Sequence, residues 1–195
     1  MKNLTTSLYL TIAVLLGSMG EGWSADFQKG RTAASNGYFV TALRELEPLA
    51  KKGHVNAQVI LGIMYEFGDG VQQDYKVAVE WYKLAAKTGS SLAQYNLGNL
   101  YRSGLGVSKD FKTAMKWYLL SANQGFAESQ INLGGMYENG DGVPQDYKTA
   151  INWYSQAAKQ GHASAQFNLA NLLKNGQGVL QDYVTAIKWY RQAAE

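Results

Sequence analysis

Apolar residues return along this chain at spacings of three and four, and the whole pattern then returns every 36 residues. Between residues 93 and 125, Ala93, Leu97, Leu100 and Tyr101 fall on one face of a helix. Gly104 and Gly106 interrupt the run. Glycine takes positive φ at low cost and is the usual residue just past a helix end. Asp110 precedes a second periodic run made of Phe111, Ala114, Tyr118 and Ser121/Ala122. A carboxylate at that point can cap the free N–H groups of the helix that follows. Gly125 closes the run. The pattern predicts a helix, a glycine loop and a second helix.

The same offset relates Leu61, Leu97, Leu133 and Leu169, and the Trp-Tyr pairs that start at Trp81, Trp117, Trp153 and Trp189. It relates Gly68, Gly104, Gly140 and Gly176, and also Asp74, Asp110, Asp146 and Asp182. A fixed period in this range predicts a stacked repeat architecture. The full units are read as residues 56–91, 92–127 and 128–163, with a nearly complete fourth at 164–195. Residues 26–55 read as a degenerate helix pair, in which Leu46 aligns with Tyr82 and Asn36-Gly37 replaces the paired-glycine loop. Terminal repeats are expected to be atypical, because one face lacks a neighbour. Gly98 and Ala114 are small in every copy, save that Ala170 replaces the glycine in the last; this predicts close helix approach. Val107, apolar in every copy of the loop, is expected to plug the gap between the two helices.

Before the repeats, residues 1–25 have the layout of a cleavable signal peptide. Lys2 supplies the positive start, residues 8–16 a short apolar core, and Gly20, Gly22, Ser24 and Ala25 the small residues for cleavage. The core is shorter than the roughly 20 residues a membrane-spanning helix needs. The expected location is therefore periplasmic or secreted, without stable membrane insertion.

Composition narrows the chemistry. Of 195 residues, 46% are apolar and 17% charged, which excludes disorder. The net charge of +3 is dispersed through the repeats, which argues against nucleic acid as partner. The absence of cysteine excludes disulfides, thiolate metal sites and a cysteine nucleophile.

The pattern A-x-x-x-L-G-x-x-Y-x-x-G-x-G-V-x-x-D-Y/F-x-x-A-x-x-W-Y-x-x-A-A-x-x-G resembles the Sel1-like repeat family, a branch of the tetratricopeptide-repeat superfamily. The resemblance covers roughly residues 43–195; Ser129, Leu173 and Ser121 depart from it. It implies an all-α fold, a right-handed α-solenoid of stacked antiparallel helix pairs, acting as an adaptor or scaffold. Secreted bacterial members imply roles in envelope signalling, complex assembly or host contact. The family has no shared catalytic residues to carry over, and the resemblance implies no cofactor.

Other chemistry reads weakly. The Gly-x-Gly loops follow helices and lack the strand and lysine of a phosphate loop. His54 and His162 stand at equivalent repeat junctions, which suits a local contact better than a metal site. The recurring aspartates read as helix caps, and the Trp-Tyr pairs as packing with Trp the more exposed.

By the superfamily analogy, the first helix of each unit lines a concave groove. Counting from the Leu-Gly anchor, one row of groove positions is Val59, Tyr95, Ile131 and Phe167. A second is Ile63, Asn99, Gly135 and Asn171, and a third, alternating in sign, is Glu66, Arg102, Glu138 and Lys174. Asn96, Asn132 and Asn168 can hold a bound peptide backbone or brace their own repeat. The alternative is that the apolar row is inter-repeat core and the charged row a ladder of surface ion pairs. The favoured function is a non-enzymatic scaffold that binds a partner protein in this groove. The competing readings are a cell-wall-acting enzyme and a self-assembling structural protein. The last draws on a stripe of Ala186, Tyr190 and Ala193/Ala194, expected to lie uncovered and to support weak homo-association.

Overall fold

A computed structural model of the chain describes residues 25–195, and among these it holds ten helices and no strand. The export signal expected at residues 1–25 lies outside the described residues except for Ala25. The chain divides into two compact units after Ser108. The first holds α1 (Ala25–Ser35), α2 (Phe39–Lys51), α3 (Val55–Phe67), α4 (Tyr75–Lys87) and α5 (Ser91–Ser103). The second holds α6 (Phe111–Ala122), α7 (Ala127–Asn139), α8 (Tyr147–Lys159), α9 (Ala163–Asn175) and α10 (Tyr183–Ala193). Within each unit every helix packs on the next in sequence.

The helix limits follow the sequence signals. Asp74, Asp110 and Asp146 each accept two backbone N–H groups of the helix they precede, at 2.8–3.2 Å. Asp182 accepts one, from Thr185 at 2.9 Å. Such a cap satisfies donors that have no partner inside the helix. At the other end of the first helices, Gly68, Gly104, Gly140 and Gly176 adopt left-handed φ of 69–77°.

Each Leu-Gly pair divides its work. The leucines of α3, α5, α7 and α9 are buried, and in α3 and α7 the glycine that follows leaves room for a tyrosine from the second helix. A methyl group on Gly62 would lie 2.4 Å from the Tyr82 ring, and one on Gly134 2.5 Å from the Tyr154 ring. Those tyrosines, with Tyr118, are among the most deeply buried side chains. In the degenerate pair, Gly30 makes the same room for Leu46. The expectation that Trp is the more exposed of each Trp-Tyr pair holds for Trp81, Trp117 and Trp153.

Two devices join successive helix pairs. Gln58, Gln94, Gln130 and Gln166 are buried and donate to the carbonyls of Ala50, Ala86, Ala122 and Ala158, at 3.0–3.2 Å. They satisfy acceptors in the last turn of the preceding helix that have no partner inside it. The second loop glycine docks on the start of the preceding pair's second helix. A methyl on Gly106 would sit 2.4 Å from the Tyr75 carbonyl oxygen, and one on Gly178 2.7 Å from the Tyr147 Cβ.

Two expectations need correction. Val71, Val107 and Val143 are only partly buried, and Val179 is exposed, so the loop valine does not seal the gap in every copy. On α10, Ala186 is buried and Tyr190 partly so, while Tyr183, Val184 and Ile187 are exposed. Of the stripe Ala186, Tyr190 and Ala193/Ala194 expected to lie uncovered, Ala186 packs inward on α9 and Tyr190 and Ala193 are partly buried, so only Ala194 is exposed and the larger exposed apolar residues of α10 lie elsewhere.

Candidate functional site

The three predicted rows do not behave as rows. Val59 and Ile63 are buried, as is every residue from Ala57 to Met64, because α3 is enclosed between α1 and α2 on one side and α4 on the other. Val59 and Ile63 are thus core, not surface that a partner first meets. Tyr95 and Ile131 are partly buried, and Phe167 is 51% exposed. Gly135 and Asn99 are partly buried. Asn171 is partly buried and its Oδ1 accepts the Tyr190 hydroxyl at 2.5 Å.

The charged row splits by sign. Glu66 and Glu138 turn inward and each accepts a tyrosine hydroxyl: Tyr82 on Glu66 at 2.6 Å, Tyr154 on Glu138 at 2.7 Å. Arg102 and Lys174 are exposed. Burial pushes the Glu66 carboxyl above its ordinary range, and the Tyr82 hydrogen bond opposes this in part. Burial and the neighbouring carboxylate push both tyrosines upward, so each remains a hydroxyl donor.

The asparagines complete the arrangement. Asn96 hydrogen-bonds the Tyr82 hydroxyl and Asn168 that of Tyr154. Asn96 comes from α5 and Tyr82 from α4, so the amide braces the preceding helix pair rather than its own. Asn168 on α9 does the same for Tyr154 on α8. The remaining member, Asn132, is partly buried on α7.

In the first unit these residues frame a cavity of about 150 Å³, lined by Ile63, Glu66, Phe67, Tyr82, Tyr95, Asn96 and Asn99. A larger, mainly apolar hollow of about 530 Å³ lies on the outer side of α4, against Val77, Trp81, Leu84 and Val107. Val77 stands where the other copies have Thr113, Thr149 and Thr185. Thr113 and Thr149 donate their hydroxyls to the capping aspartates, at 2.7 and 2.6 Å, a bond that valine cannot make.

The histidines serve junctions. His54 stacks on Phe27 with ring centres 4.3 Å apart, and its Nδ1 accepts the Ala57 N–H at 3.3 Å. Burial lowers its pKa. His162 holds the equivalent place before α9 without a side-chain cap bond. Among the described residues there is no group of three side chains suited to a metal, and no helix long and apolar enough to cross a membrane.

Sequence reasoning missed the glutamine ties and the docking of the loop glycines. The glutamines were visible, since each follows a small residue at the same place in its repeat: Ala57-Gln58, Ala93-Gln94, Ser129-Gln130 and Ala165-Gln166.

The Sel1 repeat family matches the chain at residues 55–90, 91–126, 127–162 and 163–195. A protective antigen of uropathogenic Escherichia coli with an SLR fold is 34% identical, with a TM-score of 0.78. The match covers 98% of this chain but only 38% of the antigen, so the chain spans well under half of that protein's length. A Sel1 repeat protein from Oxalobacter formigenes is 30% identical over 88% of this chain and 68% of its own, with a TM-score of 0.82. No curated protein matches the chain.

Proposed function

The chain belongs to the Sel1 repeat family, whose members are generally protein-interaction scaffolds, and we propose that it binds a partner protein on the face of its first helices without catalysing a reaction. The observation that carries this reading is a partly exposed aromatic side chain on a first helix of each unit, each unit taken by itself. Tyr95 borders a cavity in the first, and Phe167, half exposed, packs edge-on against Tyr190 in the second. Aromatic side chains are enriched at the centres of protein interfaces. Asn99, Arg102, Asn171 and Lys174 supply polar and charged groups around them.

The proposed setting is the bacterial envelope or the exterior, reached through the signal at residues 1–25. That the E. coli neighbour is a protective antigen supports a role outside the cytoplasm. Mass spectrometry of the protein from its host is expected to find a mature N-terminus between Gly20 and Phe27; intact Met1 in the cytosol would overturn export.

The binding face is tested by replacing Tyr95 and Phe167 together with Asp. Envelope extract passed over the wild-type protein should yield a partner that the variant does not retain, while the variant's circular dichroism remains helical. Equal retention by a folded variant would remove the face from consideration.

A further inference from the structure

Resting on that reading, we propose that the cavity beside Glu66 is a socket for one cationic side chain, arginine or lysine, of the partner. The cavity of about 150 Å³ is smaller than pockets for drug-sized ligands, which run from about 300 Å³, and suits a single side chain. Its lining has one ionisable acid, Glu66, and no lysine or arginine. The other lining groups are the Tyr95, Tyr82 and Phe67 rings and the Asn96 and Asn99 amides. Carboxylate and amide oxygens accept hydrogen bonds, and aromatic faces attract cations. An anion would be held against Glu66 in poorly solvated surroundings and repelled.

The state of Glu66 points the same way. The hydrogen bond at 2.6 Å from Tyr82 engages one oxygen, but a neutral hydroxyl does not compensate the charge. Burial of the carboxylate therefore remains unfavourable, which its raised pKa records. A guanidinium or ammonium in the cavity would supply the missing counter-charge, and charge-assisted bonds of this kind are the stronger ones. The carboxylate is fixed for that purpose: Tyr82 is held in place by Gly62 behind its ring and Asn96 on its hydroxyl.

The test uses Nα-acetyl-arginine amide and its uncharged isostere Nα-acetyl-citrulline amide, titrated into ¹⁵N-labelled protein. Arginine amide is expected to give saturable shifts concentrated on Tyr95, Asn96 and Asn99, with citrulline amide at least fivefold weaker. Glu66→Gln keeps an acceptor for Tyr82 and removes the charge; it should bind both probes at the citrulline level, with its melting temperature showing it folded. Equal binding of the two probes, no saturable shift, or undiminished arginine binding by Glu66→Gln would each overturn the socket. If Glu66→Gln does not fold, the arginine–citrulline pair decides alone. Partner loss in the Tyr95/Phe167 variant together with equal probe binding would overturn the socket and leave the binding face standing.

Discussion

Tyr154 and Tyr190 hold the same place in the third and fourth copies of the repeat, yet their surroundings differ. Tyr154 is buried to 2% exposure, its ring over Gly134 and its hydroxyl between Glu138 and Asn168. Tyr190 is only partly buried, bonds Asn171 and lies edge-on to Phe167. Two substitutions accompany the difference, and among the described residues no helix after α10 covers Tyr190 as α9 covers Tyr154. Ala170 carries the Cβ for which Gly134 leaves no room, and Lys174 has no acceptor to offer where Glu138 does. The acid is not required for sealing, since Tyr118 is fully buried with Gly98 present and Arg102 at the acid's position; where the glycine too is replaced, the ring turns to an exposed aromatic neighbour. The same repeat position yields core in one copy and surface in another.

The largest expected difference is in truncation. Tyr154→Ala should cost roughly 3–5 kcal/mol of unfolding free energy, as for other buried aromatics. Tyr190→Ala should cost less than about 2 kcal/mol, in the ordinary range for a partly exposed site. Denaturant titration of the two variants checks this, and equal losses would break the comparison.

The glycine itself comes next. Gly134→Ala places a methyl against the Tyr154 ring, and overpacking of this kind costs about 1–3 kcal/mol. Ala170→Gly lacks that clash and should cost about 0.5–1 kcal/mol, the helix penalty of glycine. If the two changes are equally mild in thermal unfolding, the glycine is not what admits the ring.

Removing single hydroxyls sharpens the point further. Tyr154→Phe leaves the Glu138 carboxylate without its donor and should destabilise by about 1–3 kcal/mol. Tyr190→Phe leaves a half-open amide that water can reach, and about 0.5 kcal/mol or less is expected.

The smallest effect is one of pH and concerns the matching acid in the first unit. The carboxyl of Glu66 is raised in the folded state, so the native protein holds that proton more tightly than the unfolded chain does. Its contribution is most favourable below the ordinary glutamate pKa and declines as pH rises through the raised value. Stability measured from pH 4 upward should therefore decline less for Glu66→Gln than for the wild type. An identical slope for the two would mean that Glu66 is solvated.

Much of this architecture was legible in the sequence, because each legible feature acts locally. Asp110 caps the helix that begins one residue later, and Gly104 ends the helix just before it. The partnership of Gly62, Tyr82, Glu66 and Asn96 was less legible, since it joins three helices and no spacing rule connects them. Counting by superfamily analogy gave Val59 and Tyr95 one role. It could not register that α3 is enclosed on both sides, which buries Val59 while Tyr95 stays partly open. The charged row misled for a related reason: alternation of sign suggested partners within the row, but the acids found tyrosines on neighbouring helices.

The docking of each second loop glycine bears on how such a chain can lengthen. Gly106 fits against Tyr75, and Gly178 against Tyr147, one helix pair back. Every copy therefore carries a small residue for the neighbour before it and an aromatic for the neighbour after it, Phe111 serving Gly142 in the same way. A tandem duplication of any 36-residue block reproduces both halves of that fit at the new joint.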